Sequence, residues 1–176
     1  MDRKIVTILV QAITADGKIA RDEYQFPDWT GKEDKRFFKE ISLTAGVVIM
    51  GMKTFSTIGS ALPGRKNIVM TQSPKVSKDP NVVFTNASPE DILQTLEAEG
   101  FTKVVLAGGS QINTLFAKKK LIDKVSLTIC PVIFGEGISL FAESLEISLF
   151  LQETRLLGSF RKNGQILCNY DVIYFA

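Results

Sequence analysis

Asp34 is a carboxylate on an apolar stripe. It shares a helical face with Phe37, Phe38 and Ile41, since residues at i, i+3, i+4 and i+7 fall on one side of a helix. An acid held against an apolar wall has its charged form disfavoured, so its pKa rises toward the range useful for proton transfer. The same position also suits an acid that only complements a helix dipole. Two glycine turns follow apolar runs, Met50-Gly51-Met52-Lys53-Thr54 and Leu106-Ala107-Gly108-Gly109-Ser110. Each would place backbone N–H groups at a helix start directly after a strand, an anion-binding arrangement, or would only permit close strand–helix packing. Neither fits the dinucleotide fingerprint or the P-loop. The two together, one with Lys53 and Thr54, suit a ligand that carries a diphosphate. A third segment, Leu62-Pro63-Gly64-Arg65-Lys66, feeds a basic pair into another apolar run. Lys66 reads as a solvated charge at a strand edge. Arg65 reads as the same, or as a bidentate partner for a carboxylate or phosphate.

What the chain lacks narrows the chemistry further. Its 176 residues include no histidine, which excludes Ser–His and Cys–His nucleophiles, an imidazole base and histidine metal ligands. No metal site is expected. With 45% hydrophobic and 23% charged residues, the composition is that of an ordinary soluble protein, and the length suits a single domain over residues 1–176. A net charge of +2 gives no reason to expect a nucleic-acid partner, and Lys118-Lys119-Lys120 reads as the solvated end of a helix. Cys130 and Cys168 stand in apolar stretches with no Cys-x-x-Cys pair, as buried free thiols of a cytoplasmic protein do. No stretch resembles a signal peptide or reaches membrane-spanning length, so a cytoplasmic location without a membrane partner is expected. The apolar run Ile147–Leu151 reads equally as a subunit contact or a core strand, which leaves monomer and homodimer both open.

The elements that must position these residues alternate along the chain. Ile5–Ile13, Val47–Met50, Ile68–Thr71 and Val104–Leu106 are continuous β-branched or apolar runs, as in strands buried on both faces. Thr30-Gly31-Lys32-Glu33 predicts a capping box for a helix that ends near Gly46. Ser88-Pro89-Glu90-Asp91 predicts a second helix stopping at Gly100, and a third is predicted from about Gly109 to Lys119. Val125–Phe134, Leu149–Leu157 and Gln165–Tyr174 then read as strands, with Asn163-Gly164 as a hairpin turn before the last. Strand–helix alternation closed by a hairpin implies an open, mostly parallel α/β sheet with an antiparallel edge. Ligands of such sheets bind beyond the carboxyl ends of the strands.

The residues from Val48-Ile49-Met50-Gly51 through Phe55-Ser56-Thr57-Ile58-Gly59 to Leu62-Pro63-Gly64-Arg65-Lys66-Asn67-Ile68-Val69 closely resemble the dihydrofolate reductases. Ala12-Ile13-Thr14-Ala15-Asp16-Gly17-Lys18-Ile19-Ala20 looks like that family's first strand and mobile loop. Trp29 before Asp34, Ala107-Gly108-Gly109-Ser110, and Leu127-Thr128 extend the likeness over most of the chain. The resemblance implies an open, mostly parallel twisted sheet with helices on both faces and an antiparallel C-terminal hairpin at its edge. It implies hydride transfer from NADPH to dihydrofolate to give tetrahydrofolate, in one-carbon metabolism. Asp34, Trp29 and Thr128 would be catalytic, with Asp34 as the acid, Trp29 closing over the site and Thr128 bonded to the same network. Ala12, Phe37, Phe38 and Ile58 would line the substrate pocket, and Arg65 would hold the glutamate α-carboxylate. Ile19, Lys53, Thr54, Thr71, Gly108, Gly109, Ser110, Gln111 and Ile112 would bind the cofactor.

Three departures accompany the likeness, the first being Ile112, where the family often has a tyrosine against the nicotinamide. The family commonly has basic residues where Met52 and Thr71-Gln72 stand, and those charges select NADPH over NADH. The segment from Ser126 to Phe141, including Gly135-Glu136-Gly137, is more similar to the reductase domain of the riboflavin pathway. That domain shares the fold and reduces the ribose of a phosphorylated aminopyrimidine. A pyrimidine reductase is therefore the alternative function, and a catalytically silent nucleotide-binding module is a third.

Overall fold

The computed structural model describes residues 4–145, the backbone of 149–160, and residues 164–174. Its elements run β1 (Val6–Thr14), β2 (Lys18–Ala20), α1 (Gly31–Ala45), β3 (Val47–Gly51), α2 (Met52–Ile58), β4 (Lys66–Met70), β5 (Val82–Thr85), α3 (Pro89–Ala98), β6 (Lys103–Leu106), α4 (Ser110–Lys118), β7 (Lys124–Cys130), β8 (Ile138–Ser139), β9 (Leu149–Phe160) and β10 (Gln165–Tyr174). The main sheet has the order β5-β4-β3-β6-β1-β7-β10-β9, and β2 pairs with β8 in a separate ribbon. Neighbours from β5 to β7 are parallel, whereas β10 runs antiparallel to both β7 and β9. Because β6 returns between β3 and β1, the chain direction across the sheet reverses there. A crevice opens beyond the carboxyl ends at such a reversal.

Strand alternation builds a core on each face. Leu9, Ile49, Val104 and Leu106 pack on one side with Leu93 and Leu96 of α3 and Phe116 of α4. Ile8, Val10, Val48, Met50 and Val105 pack on the other with Phe38 and Ile41 of α1 and Phe55 of α2. The inner strands therefore read as unbroken apolar runs, as expected. The helix stops also match: Gly46 closes α1 with φ 76, and Ser88 accepts from the Asp91 N–H at the start of α3. Among the described residues, no helix is long and apolar enough to cross a membrane.

Several expectations are corrected. The capping box does not form, because Thr30 enters α1 already in the right-handed helical region and makes no side-chain cap bond. Glu33 instead pairs with Arg36 at 2.6 Å. β7 ends at Cys130 rather than Phe134, since Pro131 offers no N–H to continue the ladder. The short strands β2, β5 and β8 carry too little pattern to be read from sequence. The β9–β10 pair forms the expected hairpin, although Asn163 lies outside the described residues, as do Ile147 and Ser148 of the apolar run weighed as a subunit contact.

Candidate active site

A cleft of about 1910 Å³ runs along the carboxyl ends of the parallel strands. Its floor includes Val10, Gln11 and Ala12, where β1 passes between β6 and β7. One wall is α1 with the segment before it, contributing Trp29, Thr30, Asp34, Lys35, Phe38 and Lys39. The other comes from the glycine turns and the helices they open, with Lys53, Thr54, Ile58, Gly109, Ser110, Gln111 and Ile112. Ile19 borders the cleft from β2, and Arg65 and Thr71 from the two ends of β4.

Asp34 is 8% exposed. Burial pushes its carboxyl above the ordinary aspartate range, and hydroxyl bonds from Thr128 and Thr30, with the charge of Lys35, pull it partly back. Thr128 does not reach the cleft surface. It stands beneath Asp34 on β7, buried on the α1 side of the sheet. Phe38 lines the cleft, but Phe37 does not, contrary to its expected place in the pocket. Phe37 borders a shallow groove with Ile8, Ile41 and Tyr170. The reason is helical phase: at about 100° per residue, Phe38 lies about 40° to one side of Asp34 and Phe37 about 60° to the other.

Arg65 is 5% exposed, and burial lowers its pKa. Its guanidinium donates to Ser42 Oγ at 2.6 Å and to the Pro63 carbonyl at 3.1 Å. Neither partner is charged, and among the described residues no carboxylate pairs with it. A desolvated cation with only neutral partners is well matched to an anionic ligand group.

The two glycine turns meet at the other end, where the Gly51 N–H donates to the Gly108 carbonyl at 2.8 Å. Gly108 has φ 86, and a Cβ there would stand 2.8 Å from Gln11 Oε1. This residue lies behind the cleft surface, whereas Gly109 faces it, with room for a Cβ only 3.5 Å from Thr54 Oγ1. No side chain caps α4 at Gly109. Its first-turn amides are therefore available to an anion. Lys53 pairs with Glu23 across the cleft mouth. Met52, Thr71, Gln72 and Ser73 give the outer rim a neutral lining.

The loop after β1 is tied down behind Trp29. Asp16 accepts from Thr14 Oγ1 at 2.6 Å, the Phe134 N–H at 3.2 Å and the Gly135 N–H at 2.8 Å. These bonds hold its pKa at about 2. Trp29 packs edge-on against Phe134, with ring centroids 5.2 Å apart. Gly137 closes the β2–β8 ribbon with φ 145, and a Cβ there would stand 2.5 Å from the Ala20 carbonyl oxygen. Both cysteines are buried free thiols. They fall on opposite faces of the sheet, because Cys168 lies opposite Leu127 across the β7–β10 pair and Cys130, three residues on from Leu127 in β7, points to the other face.

Sequence reading missed three polar residues here. Thr30 reads from sequence only as a cap, while Gln11 and Gln165 carry no local signal, since their contacts come from distant segments.

An open α/β sheet whose crevice brings together a buried acid of raised proton affinity, a buried arginine that no described carboxylate pairs, and two glycine turns at its far end has the layout of an α/β enzyme that binds its ligands beyond the strand ends. The particular lineage follows from residues 6–145, which match the dihydrofolate reductase family. The chain belongs to that family. It is 30% identical to the uncharacterized protein YwjB of Bacillus subtilis over 90% of this chain and 94% of that one. Dihydrofolate reductase type 15 of Escherichia coli is 35% identical over 66% of this chain and 68% of its own length. Among solved structures, a pyrimidine reductase-like protein of Corynebacterium diphtheriae superposes with a TM-score of 0.74 at 16% identity, over 97% of this chain and 93% of that one. RibD of Acinetobacter baumannii gives 0.80 at 15% identity, over 98% of this chain and 59% of its own length. At such identities the likeness concerns the fold.

Proposed function

We propose that the protein reduces dihydrofolate to tetrahydrofolate with NADPH. The observation that carries this reading is the pairing, in one cleft, of a buried acid with raised proton affinity and a buried arginine that no described carboxylate pairs. A pterin ring would lie over Ala12 and against Phe38 and Ile58, with its ring nitrogens on Asp34. The tail would leave along α1 and place its α-carboxylate on Arg65. The residues present fit a dinucleotide cofactor: the uncapped start of α4, Gly109 beneath Thr54, and Lys53 would hold its diphosphate, and Ser110, Gln111, Ile112, Ile19 and Thr71 would border the rest.

When bound, NADPH supplies the hydride. The chain's own residues orient the acceptor, exclude water and handle one proton. Asp34 would hold that proton beside the substrate's imine nitrogen, and Thr128 and Thr30 would keep its carboxyl aimed. Trp29 would close the cleft over the reacting rings, which limits solvent access and fixes geometry.

A second reading, a pyrimidine reductase of the same fold, is favoured by the segment from Ser126 to Phe141 and by a fold likeness that includes the C-terminal hairpin. In that case Arg65 would take a phosphate. The deciding experiment follows dihydronicotinamide absorbance with NADPH and NADH against dihydrofolate and against a phosphoribosylaminopyrimidine. Turnover of dihydrofolate that an antifolate blocks is expected. Turnover of the pyrimidine alone would replace the first reading with the second.

A further inference from the structure

Gln165, the first residue of β10, is 2% exposed, less than Asp34 itself. Its Nε2 donates to the Thr30 carbonyl and, at 3.2 Å, to Cys130 Sγ. Among the described residues its buried Oε1 has no hydrogen-bond partner. Exchanging the two ends of the amide would set oxygen against the Thr30 carbonyl, so that carbonyl dictates the orientation. A buried amide with one end unsatisfied is costly, and an apolar side chain would fill the same space without that cost. The bond to Thr30 is the gain that offsets it.

Thr30 and Cys130 are the two points that matter around the acid. Thr30 immediately precedes α1; its hydroxyl stands at the Asp34 carboxyl and 3.4 Å from the Pro27 carbonyl, so its one proton can serve either, and Cys130 lies on the same strand and face as Thr128, the second hydroxyl beside Asp34. We infer that Gln165 is a positioning residue for Asp34: β10 clamps the first turn of α1 onto β7, so that Thr30 and Thr128 converge on one carboxyl group. Gln165 lies beyond the residues that match the family, which end at 145. The site is thus completed by a part of the chain outside that match. This inference rests on the reading of Asp34 as the active-site acid.

Groups facing Asp34 are Thr30 from the preceding turn, Thr128 and Cys130 from β7, and Lys35 from α1. Burial, with the neighbouring Asp34 carboxylate, pushes the Cys130 thiol up, so it stays protonated while Asp34 titrates.

The test is a carbon-13 NMR titration of labelled aspartate in the free protein, with Asp34 assigned by its loss in Asp34→Asn. In Gln165→Met, similar in shape but without the donor, the Asp34 midpoint should rise by about half a unit, because a loosened Thr30 hydroxyl no longer favours the charged form. Turnover of dihydrofolate at neutral pH should fall about 10-fold with KM nearly unchanged, as expected for a misplaced acid. In the Asp34→Asn background the same change should cost no further rate. An unmoved Asp34 midpoint, or an equal loss in both backgrounds, overturns the inference. Should Gln165→Met fail to fold, Gln165→Glu keeps the size and loses the donor once ionised, and an Asp34 midpoint equal to wild type there overturns it too. The titration needs no substrate. A shifted midpoint without dihydrofolate turnover would keep the clamp and reject the substrate, whereas turnover with an unshifted midpoint would do the reverse.

Discussion

Asp34 and Asp16 are the same side chain in two kinds of surroundings, one inside the cleft and one on the loop behind it. Asp34 is buried and receives help from two hydroxyls, which is less than burial takes away, so its proton affinity rises. Asp16 is exposed and receives one hydroxyl and two backbone N–H groups, so its pKa falls to about 2. Donors without burial make a permanent charge, and burial with too few donors makes a proton store. Their effects on stability have opposite signs. Ionising Asp34 opposes folding: that penalty is absent below the ordinary aspartate value of 3.8, grows as pH rises from there to its raised folded pKa, and is constant above it. Asp16 contributes stability that is present above 3.8 and is lost as pH falls toward about 2.

The strongest way to break this contrast is Asp34→Asn, which removes the stored proton. Turnover at neutral pH should drop about 100-fold, the scale of lost general-acid help, as measured by dihydronicotinamide absorbance. Thermal melts should show the variant more stable than wild type at neutral pH, with the gain disappearing as pH falls below 3.8. Next in size is Arg65→Met, which removes the other buried charge. Its KM for dihydrofolate should rise about 30-fold with kcat nearly unchanged, the signature of a lost charge-assisted binding contact.

Asp16→Asn keeps the shape of the loop acceptor and removes its charge. It should slow pre-steady-state hydride transfer about 5-fold by loosening the wall behind Trp29, and the acid-side loss of stability between pH 3.8 and about 2 should flatten. An unchanged acid limb in denaturation would separate Asp16 from that stability. The smallest effect belongs to Lys53→Met. An exposed ion pair such as the one Lys53 makes with Glu23 is worth at most about 1 kcal/mol, and an equally exposed contact with a diphosphate is on the same scale, so cofactor affinity should change no more than about fivefold, and the difference should vanish in high salt.

Local pattern reveals what neighbouring residues decide. Gly46 ends α1 because a left-handed residue is needed there, and Ser88 caps α3 because Asp91 lies one turn away. Asp34 and Phe38 are a single helical turn apart, so their shared face could be read directly. Phe37 sits near the same stripe, and only the position of the sheet beneath α1 decides that it turns from the cleft. Thr30 has the composition of a cap, yet its carbonyl is taken by a residue 135 positions away. No local rule contains that contact. Gln11 and Gln165 were illegible for the same reason, because an isolated glutamine acquires meaning only from the strands brought against it. The sheet itself was legible through its continuous apolar runs, while the three-residue β2 and two-residue β8 are too short for any periodicity to emerge.

Trp29 is the chain's one tryptophan, and among the described residues its buried indole N–H has no hydrogen-bond partner. It lies in the cleft wall against Phe134. The emission of an indole overlaps the absorption of a reduced nicotinamide ring. If the proposed cofactor binds there, the fold contains its own optical gauge: energy transfer out of Trp29 would report occupancy of the cleft, and the colour of the remaining emission would report how wet that wall is.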